Sequence, residues 1–122
     1  MTRCLLIDEE GRGRQHLSEM LSGMGLETSL SSRAEDGVRF CNDNAPDLVM
    51  LSAKAGGGAP KDVVKRLRMN ARGKPPVVFL YAETPDTEMF GQTILEGAAD
   101  VLMMPLDRDL LHFKLRQAGI AV

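Results

Sequence analysis

The sequence predicts an α/β fold with a single doubly wound, five-stranded parallel sheet that has helices on both faces. Three observations support this prediction. Short apolar runs recur along the chain, and each is followed by a segment with helical periodicity. Three runs are almost continuously apolar, as expected for strands covered on both faces: residues 4–7, 48–51 and 77–80. No repeat or linker interrupts the 122 residues, so we expect one domain, residues 1–122, with right-handed crossovers and no output domain.

The composition is that of an ordinary globular protein and argues against several partners. Hydrophobic residues make up 43% of the chain and charged residues 26%. The net charge of −2 supplies no basic field for nucleic acid or an acidic membrane. No apolar run approaches the ~20 residues of a transmembrane helix, and residues 1–3 lead directly into a strand, so no signal peptide is expected. Cys4 and Cys41 lack metal-ligand spacing, which predicts buried free thiols and a cytoplasmic location.

The first two β-α units begin with contrasting strands. Residues 4–7 form an apolar strand that ends in Asp8 and Glu9, and the helix after it stops at Gly25. Residues 26–30 form a more polar strand near a sheet edge, and Ser32 is the expected N-cap of the second helix. The apolar faces of these two helices are predicted at Leu17, Met20, Leu21 and Met24, and at Ala34, Val38 and Cys41.

The third unit carries the residue of greatest interest. Residues 47–52 read as a buried strand that delivers Ser52 to the carboxyl edge of the sheet, where functional groups of open α/β sheets lie. The glycines at 56–58 lack the context of a phosphate-binding loop and are interpreted as a flexible connector. The helix after them buries Val63, Val64 and Leu67. Its basic outer face, continued to Lys74, is interpreted as a solvated surface.

The last two units complete the alternation. The strand at 77–81 precedes a helix with Thr84 or Asp86 as its N-cap and an apolar face at Met89, Phe90 and Ile94. A short strand, residues 101–103, ends before Met104 and Pro105. Asp107 is the expected cap of the final helix, whose inward residues are predicted to be Leu111, Leu115 and Ala118.

Several of these segments, in this order, resemble the receiver domain of two-component response regulators, the CheY-like fold. The resemblance covers about residues 3–117 without insertions and implies the strand order 2-1-3-4-5. It rests on residues 5–10 (LLIDEE), 45–51 (APDLVML), 66–68 (RLR), 75–78 (PPVV), 95–100 (LEGAAD) and Pro105.

The positions that this resemblance marks as functional depart from the family pattern. Ser52 stands where the family has the phospho-accepting aspartate, and Met104 stands where it has a phosphate-binding lysine. Tyr81 replaces the usual serine or threonine, and Val101 replaces the aromatic residue that moves on activation. Phosphoryl transfer to an acyl oxygen needs a carboxylate nucleophile and a divalent cation. We therefore interpret Ser52 as a degenerate acceptor position whose hydroxyl bonds to nearby backbone, and expect no enzymatic activity.

Asp8 and Glu9 match the acidic pair that holds Mg²⁺ in the family, with glutamate in place of the second aspartate. Oxygen ligands suit Mg²⁺, but Ser52 removes one carboxylate, so we expect a weak or vestigial site and no required cofactor. Arg12 and Arg14 follow closely and can pair with the acidic residues.

Two functional hypotheses remain open at this stage. The first is an atypical receiver domain that binds signalling proteins, or a second copy of itself, through the family's usual contact surface at about residues 86–118. The alternative is a receiver-fold module that senses an anionic small ligand such as a cyclic nucleotide, through the arginines or the basic third helix. A flavodoxin-like enzyme is disfavoured because no phosphate loop or catalytic set is present.

Overall fold

The computed structural model of the chain describes residues 1–122 and confirms the predicted α/β fold. The strands run parallel in one sheet of order β2-β1-β3-β4-β5, which is the order that the resemblance implies. They are β1 (Arg3–Ile7), β2 (Glu27–Ser31), β3 (Leu48–Ser52), β4 (Val77–Ala82) and β5 (Asp100–Met103). The polar strand β2 lies at one edge, as its composition predicts.

One helix follows each strand. The helices are α1 (Arg12–Gly23), α2 (Ala34–Asn44), α3 (Pro60–Met69), α4 (Thr87–Leu95) and α5 (Arg108–Gln117). None of them combines the length and the apolar character that crossing a bilayer requires.

The sheet separates two cores, because successive side chains of a strand point to opposite faces. In β1, Cys4 and Leu6 pack with buried residues of α1 and α5, whereas Leu5 and Ile7 pack with those of α2 and α3. The central strand β3 divides its side chains in the same way and is buried along its whole length. The apolar runs in the sequence therefore reflect burial on both faces of the sheet.

Two of the predicted helix caps are confirmed and one is wrong. The carboxylates of Asp86 and Asp107 accept hydrogen bonds from backbone N–H groups in the first turns of α4 and α5. Arg33 stands at the N-cap of α2 instead of Ser32, and its side chain makes no capping bond. The Ser32 hydroxyl instead accepts a 3.2 Å hydrogen bond from Arg14.

The glycine-rich loop after β3 is less free than the sequence suggests. The N–H of Ala34, at the first turn of α2, donates to the carbonyl of Gly56 at 2.8 Å. Gly57 has φ of +108° and lies against Ala34 and the carboxylate of Glu35, where a β-carbon would clash. The loop is thus bonded to the first turn of α2, a contact that its glycine-rich sequence did not predict.

Helix α4 differs from its predicted orientation at one position. Ile94 is 45% exposed, whereas Thr93 is completely buried. The Thr93 hydroxyl donates a 2.7 Å bond to the carbonyl of Met89 one turn earlier, so burial leaves no polar group unpaired. Because of this bond, Thr93 faces inward in α4, whereas hydrophobicity alone predicts that Ile94 does.

Candidate functional site

The carboxyl ends of four strands surround a cleft of about 180 Å³. The cleft lies where the order of strands reverses, between β1 and β3, which is the usual position of a site in an open α/β sheet. Five of the six residues that the sequence marked line it: Asp8, Glu9, Ser52, Tyr81 and Met104.

Val101 is the sixth marked residue and does not line the cleft. It is half-buried in β5 and packs against the core on the α2, α3 and α4 side of the sheet. The structure therefore places Val101 in the packing of the sheet edge.

The centre of the cleft is a hydrogen bond between Tyr81 and Asp8. The phenol oxygen of Tyr81 donates to Asp8 Oδ2 at 2.7 Å, and the two residues are only 3% and 6% exposed. The other oxygen of this carboxylate, Oδ1, accepts a 2.8 Å bond from the backbone N–H of Glu9. Both carboxylate oxygens of Asp8 are therefore already engaged within the protein.

The environment of Tyr81 keeps its phenol protonated. Burial raises the pKa of the Tyr81 phenol far above its ordinary value, and the bond to the Asp8 carboxylate raises the pKa further. Ser52 and Arg14 act on this pKa in the opposite direction but do not offset the rise. At neutral pH, Tyr81 is thus a permanent donor to Asp8.

Ser52 lies at the end of β3 and is only 3% exposed. Its Oγ accepts a 3.1 Å hydrogen bond from the backbone N–H of Lys54, in agreement with the interpretation as a small polar residue bonded to backbone. The two histidines, His16 and His112, lie on α1 and α5 and do not line the cleft. No histidine base is therefore placed to activate the hydroxyl.

Lys54 and its partner Glu83 line the cleft, and the sequence marked neither of them. The Lys54 ammonium lies 2.9 Å from the carboxylate of Glu83 and 3.9 Å from that of Glu9. The hydrogen bond to Glu83, followed by the charges of Glu83, Glu9 and Asp8, raises the pKa of Lys54. In the sequence, the only sign that Lys54 lies in the cleft is its position two residues after Ser52. Its ion pair with Glu83 could not be predicted, because Glu83 is 29 positions away in the chain.

The arginines do not pair with Asp8 and Glu9 as expected. Arg14 donates to the backbone carbonyl of Asp8 at 3.4 Å and approaches the exposed carboxylate of Glu10 at 3.8 Å. Arg12 lines the cleft but forms no ion pair. Four acidic and three basic side chains surround the cleft, so it carries no excess of positive charge that attracts an anion.

Met104 closes the cleft on the side of β5. Its N–H donates to the carbonyl of Ala82 at 2.8 Å, its side chain packs against the core formed with α1 and α5, and the Met104-Pro105 peptide bond is cis. An apolar thioether thus occupies the position where the resemblance implies a lysine.

The arrangement does not fit a divalent cation well. No group of three or more histidine, cysteine or acidic side chains converges on one point. Each carboxylate oxygen of Asp8 already accepts a hydrogen bond, and the carboxylate of Glu9 faces the Lys54 ammonium. Mg²⁺ prefers several oxygen ligands with near-octahedral geometry, which this set of side chains does not offer.

Comparison with curated proteins finds distant relatives among transcriptional regulators. The chain is 25% identical over 116 residues to the transcriptional regulatory protein AfsQ1 of Streptomyces coelicolor, which covers 95% of this chain and 50% of that protein. It is 24% identical over 118 residues to the regulatory protein AtoC of Escherichia coli, covering 97% and 25%. The chain therefore spans half or less of the length of these relatives. No family model matches it.

Solved structures match the fold over nearly its whole length. A two-component response regulator from Clostridium difficile has a TM-score of 0.86 at 20% identity, covering 96% of this chain and 94% of that one. The receiver domain of a sensor histidine kinase from Pseudomonas aeruginosa, with a magnesium ion coordinated in its active-site cleft, has a TM-score of 0.82 at 16% identity, covering 97% and 98%.

A CheY-like receiver domain protein from Methanospirillum hungatei gives a TM-score of 0.86 at 15% identity, covering 97% of this chain and 93% of that one. The strand order, the position of the cleft and the sequence relatives all agree with the resemblance to receiver domains. The chain therefore has the fold of CheY-like receiver domains, and its sequence is similar to those of two-component response regulators.

Proposed function

We propose that this receiver domain is a cytoplasmic protein-interaction module of two-component signalling that phosphorylation at the usual acceptor position does not switch. One observation carries the proposal: the acceptor position is a buried serine, beside a hydrogen bond that joins Tyr81 to Asp8. The cleft is thus internally satisfied without a phosphoryl group. The two buried free thiols, Cys4 and Cys41, are compatible with a reducing compartment.

The chemistry of the acceptor position supports this proposal. Aspartyl phosphorylation requires an ionised carboxylate as nucleophile, and Ser52 supplies a neutral hydroxyl that accepts a bond from the N–H of Lys54. Transfer also requires positive charge around the phosphoryl oxygens, which Met104 does not provide. The domain therefore lacks both the nucleophile and the lysine of a switched receiver, and we propose no catalytic turnover and no required Mg²⁺.

The residues that would transmit a switch support the same proposal. Tyr81 is bulky, buried and bonded to Asp8, so it has no free hydroxyl to follow a phosphoryl group. Val101 is half-buried and has no aromatic ring to move inward. We propose that the conformation of the domain is held constant by these contacts.

The surface offers a place for partner proteins. Five of the eight exposed large hydrophobic residues belong to α4, β5 and α5. Large apolar side chains that are exposed on successive elements fit a protein-protein contact surface. They lie within the proposed contact region, residues 86–118, and are Ile94, Leu95, Met103, Leu110 and Phe113.

A binding experiment with phosphoryl analogues tests the absence of the switch. We expect the thermal unfolding midpoint of the wild type to be unchanged by Mg²⁺ with acetyl phosphate or beryllofluoride. The unfolding midpoint of the variant Ser52→Asp/Met104→Lys/Tyr81→Thr should rise with beryllofluoride, because this variant restores the carboxylate nucleophile, the lysine and a small hydroxyl residue. Incorporation of a phosphoryl group into wild-type Ser52 from a histidine kinase would contradict the proposal. A midpoint that rises with a cyclic nucleotide would instead favour the ligand-sensing alternative.

A second experiment tests the contact surface. Sedimentation of the wild type should show whether a homodimer forms, and a pull-down compares its partner proteins with those of the variants. Leu95→Asp and Phe113→Asp should weaken either association, because each places a charge on an apolar contact. Met69→Asp is the matched control, since Met69 is 72% exposed but lies on α3. An equal effect of all three variants would contradict the assignment of residues 86–118.

A further inference from the structure

We infer that Lys54 and Tyr81 together take the place of a divalent cation in the cleft and prevent a divalent cation from binding there. The inference rests on the proposed function, because a receiver domain without aspartyl phosphorylation has no phosphoryl charge for a cation to neutralise. Neither Lys54 nor Tyr81 belongs to the acidic pair, Asp8 and Glu9. Substitution of Lys54 and Tyr81 should therefore allow a divalent cation to bind in the cleft.

Tyr81 occupies the inner half of this site. Its hydroxyl donates to Asp8 Oδ2 at 2.7 Å, while the backbone N–H of Glu9 donates to Oδ1 at 2.8 Å. A metal ion that bound Oδ2 of Asp8 would compete with the phenol for that oxygen, and a displaced hydroxyl would lose its buried carboxylate acceptor. Any such ion therefore competes with a bond that already satisfies the carboxylate.

Lys54 occupies the outer half. Its ammonium lies between Glu83 at 2.9 Å and Glu9 at 3.9 Å, and comes from the loop directly after β3. An ammonium group is a compact positive charge, so it neutralises the carboxylates at the mouth of the cleft as a bound cation would. It also repels a divalent cation that approaches the same oxygens.

The balance of charge in the cleft agrees with this role. With Lys54 the lining has four acidic and three basic side chains, and without it the acidic excess doubles from one to two. Lys54 is 51% exposed, so the exclusion depends on the charge of its ammonium and not on burial. Removing this side chain should therefore open the site without disturbing the core.

Direct titration with Mn²⁺ tests the inference. Mn²⁺ is chosen because it prefers the same carboxylate and water ligands as Mg²⁺ and because its paramagnetism allows the free ion to be counted. Wild type should show no saturable binding at about 1 mM Mn²⁺, the weak end of the range that proteins use for hard cations. Lys54→Ala should bind Mn²⁺ about tenfold more tightly, and Lys54→Ala/Tyr81→Thr about a hundredfold, because each removed interaction corresponds to roughly a factor of ten.

Two matched variants separate the inference from general effects of charge and packing. Lys61→Ala removes a lysine of α3 that forms no ion pair and should leave Mn²⁺ binding unchanged. Tyr81→Phe keeps the ring but removes the hydroxyl, so it frees Asp8 Oδ2 with less loss of packing. If Tyr81→Thr fails to fold by circular dichroism, the comparison of Lys54→Ala with Lys61→Ala decides the question alone.

The outcomes distinguish this inference from the proposed function. Saturable Mn²⁺ binding by the wild type, or no gain in Lys54→Ala, overturns the inference. Neither result contradicts the proposed function, because the titration contains no phosphoryl donor and does not test phosphorylation of Ser52. The proposed function fails only if Ser52 accepts a phosphoryl group. Increased Mn²⁺ affinity in Lys54→Ala and in the double variant supports the inference.

Discussion

The phenol of Tyr81 donates a 2.7 Å hydrogen bond to the carboxylate of Asp8, and the two residues lie 73 positions apart in the chain. They meet because β4 and β1 both end at the same edge of the sheet, with β3 between them. The bond is buried, so removal of either partner leaves the other group buried without this hydrogen bond, which costs free energy. A change in the cleft that breaks this bond should therefore lower the free energy of unfolding.

Replacement of Tyr81 by phenylalanine should destabilise the domain by about 1–3 kcal/mol, because it leaves the buried carboxylate of Asp8 without its side-chain donor. Urea unfolding followed by circular dichroism measures the loss. The double-mutant cycle with Asp8→Ala isolates the pairwise energy, which should be at least about 0.5 kcal/mol for residues in direct contact. Additive effects of the two substitutions would contradict the interaction.

The phenol of Tyr81 should not ionise while the protein is folded. Its pKa is raised in the folded state, first by burial and then by the bond to Asp8, whereas the unfolded phenol has a pKa of about 10. This difference stabilises the folded state fully below about pH 10, and the contribution is lost as pH rises above that value.

Ultraviolet difference spectroscopy can follow this titration without interference, because Tyr81 is the only tyrosine and the chain has no tryptophan. We expect no phenolate signal from the native protein at about pH 11 and a normal titration near pH 10 in denaturant. A native titration that coincides with the denatured one would show that the phenol is solvated.

Two helical glycines should respond in opposite ways to alanine. Alanine favours a helix interior by about 1 kcal/mol over glycine. In α2, however, a β-carbon at Gly37 would overlap the side chain of Ile7, so Gly37→Ala should destabilise the domain by about 1–3 kcal/mol. At Gly91 in α4 a β-carbon meets no atom within 4 Å, and Gly91→Ala should stabilise it. Thermal unfolding of both variants tests the difference, and the same sign for both would contradict the packing of α2 on β1.

The sequence was most informative where a structural feature depends on local pattern. The double apolar face of β3 predicted its central position, because a strand covered on both sides needs no alternation. Asp86 and Asp107 were predictable as caps, since each accepts bonds only from residues within three positions.

Contacts between distant residues were not predictable in this way. Ser32 has a suitable side chain for capping α2, but Arg14 takes its hydroxyl and the carbonyl of Gly56 accepts the bond from the helix N–H. The pair of Lys54 and Glu83, like the bond of Tyr81 to Asp8, depends on which strands are neighbours at the carboxyl edge. The sequence could therefore identify Asp8, Glu9, Ser52, Tyr81 and Met104 in the cleft, but not Lys54 and Glu83 or the bonds between these residues.

Reintroduction of a carboxylate at position 52 should reveal how far the cleft has adapted to its absence. Ser52 is 3% exposed and lies between Tyr81 and the loop of Lys54, so Ser52→Asp places a second buried carboxylate near Asp8. We expect a loss of about 3 kcal/mol at pH 7, since the new charge has no partner.

The pH dependence and two matched variants test this explanation. Burial beside Asp8 should raise the pKa of the new carboxyl in the folded state, so the loss should grow as pH rises through that pKa and shrink toward pH 5. Ser52→Asn adds nearly the same volume without the charge and should be less destabilising. Met104→Lys combined with Ser52→Asp should recover part of the stability, because it supplies a cation. A loss from Ser52→Asp that is independent of pH and equal to that from Ser52→Asn would indicate that volume, not charge, limits position 52.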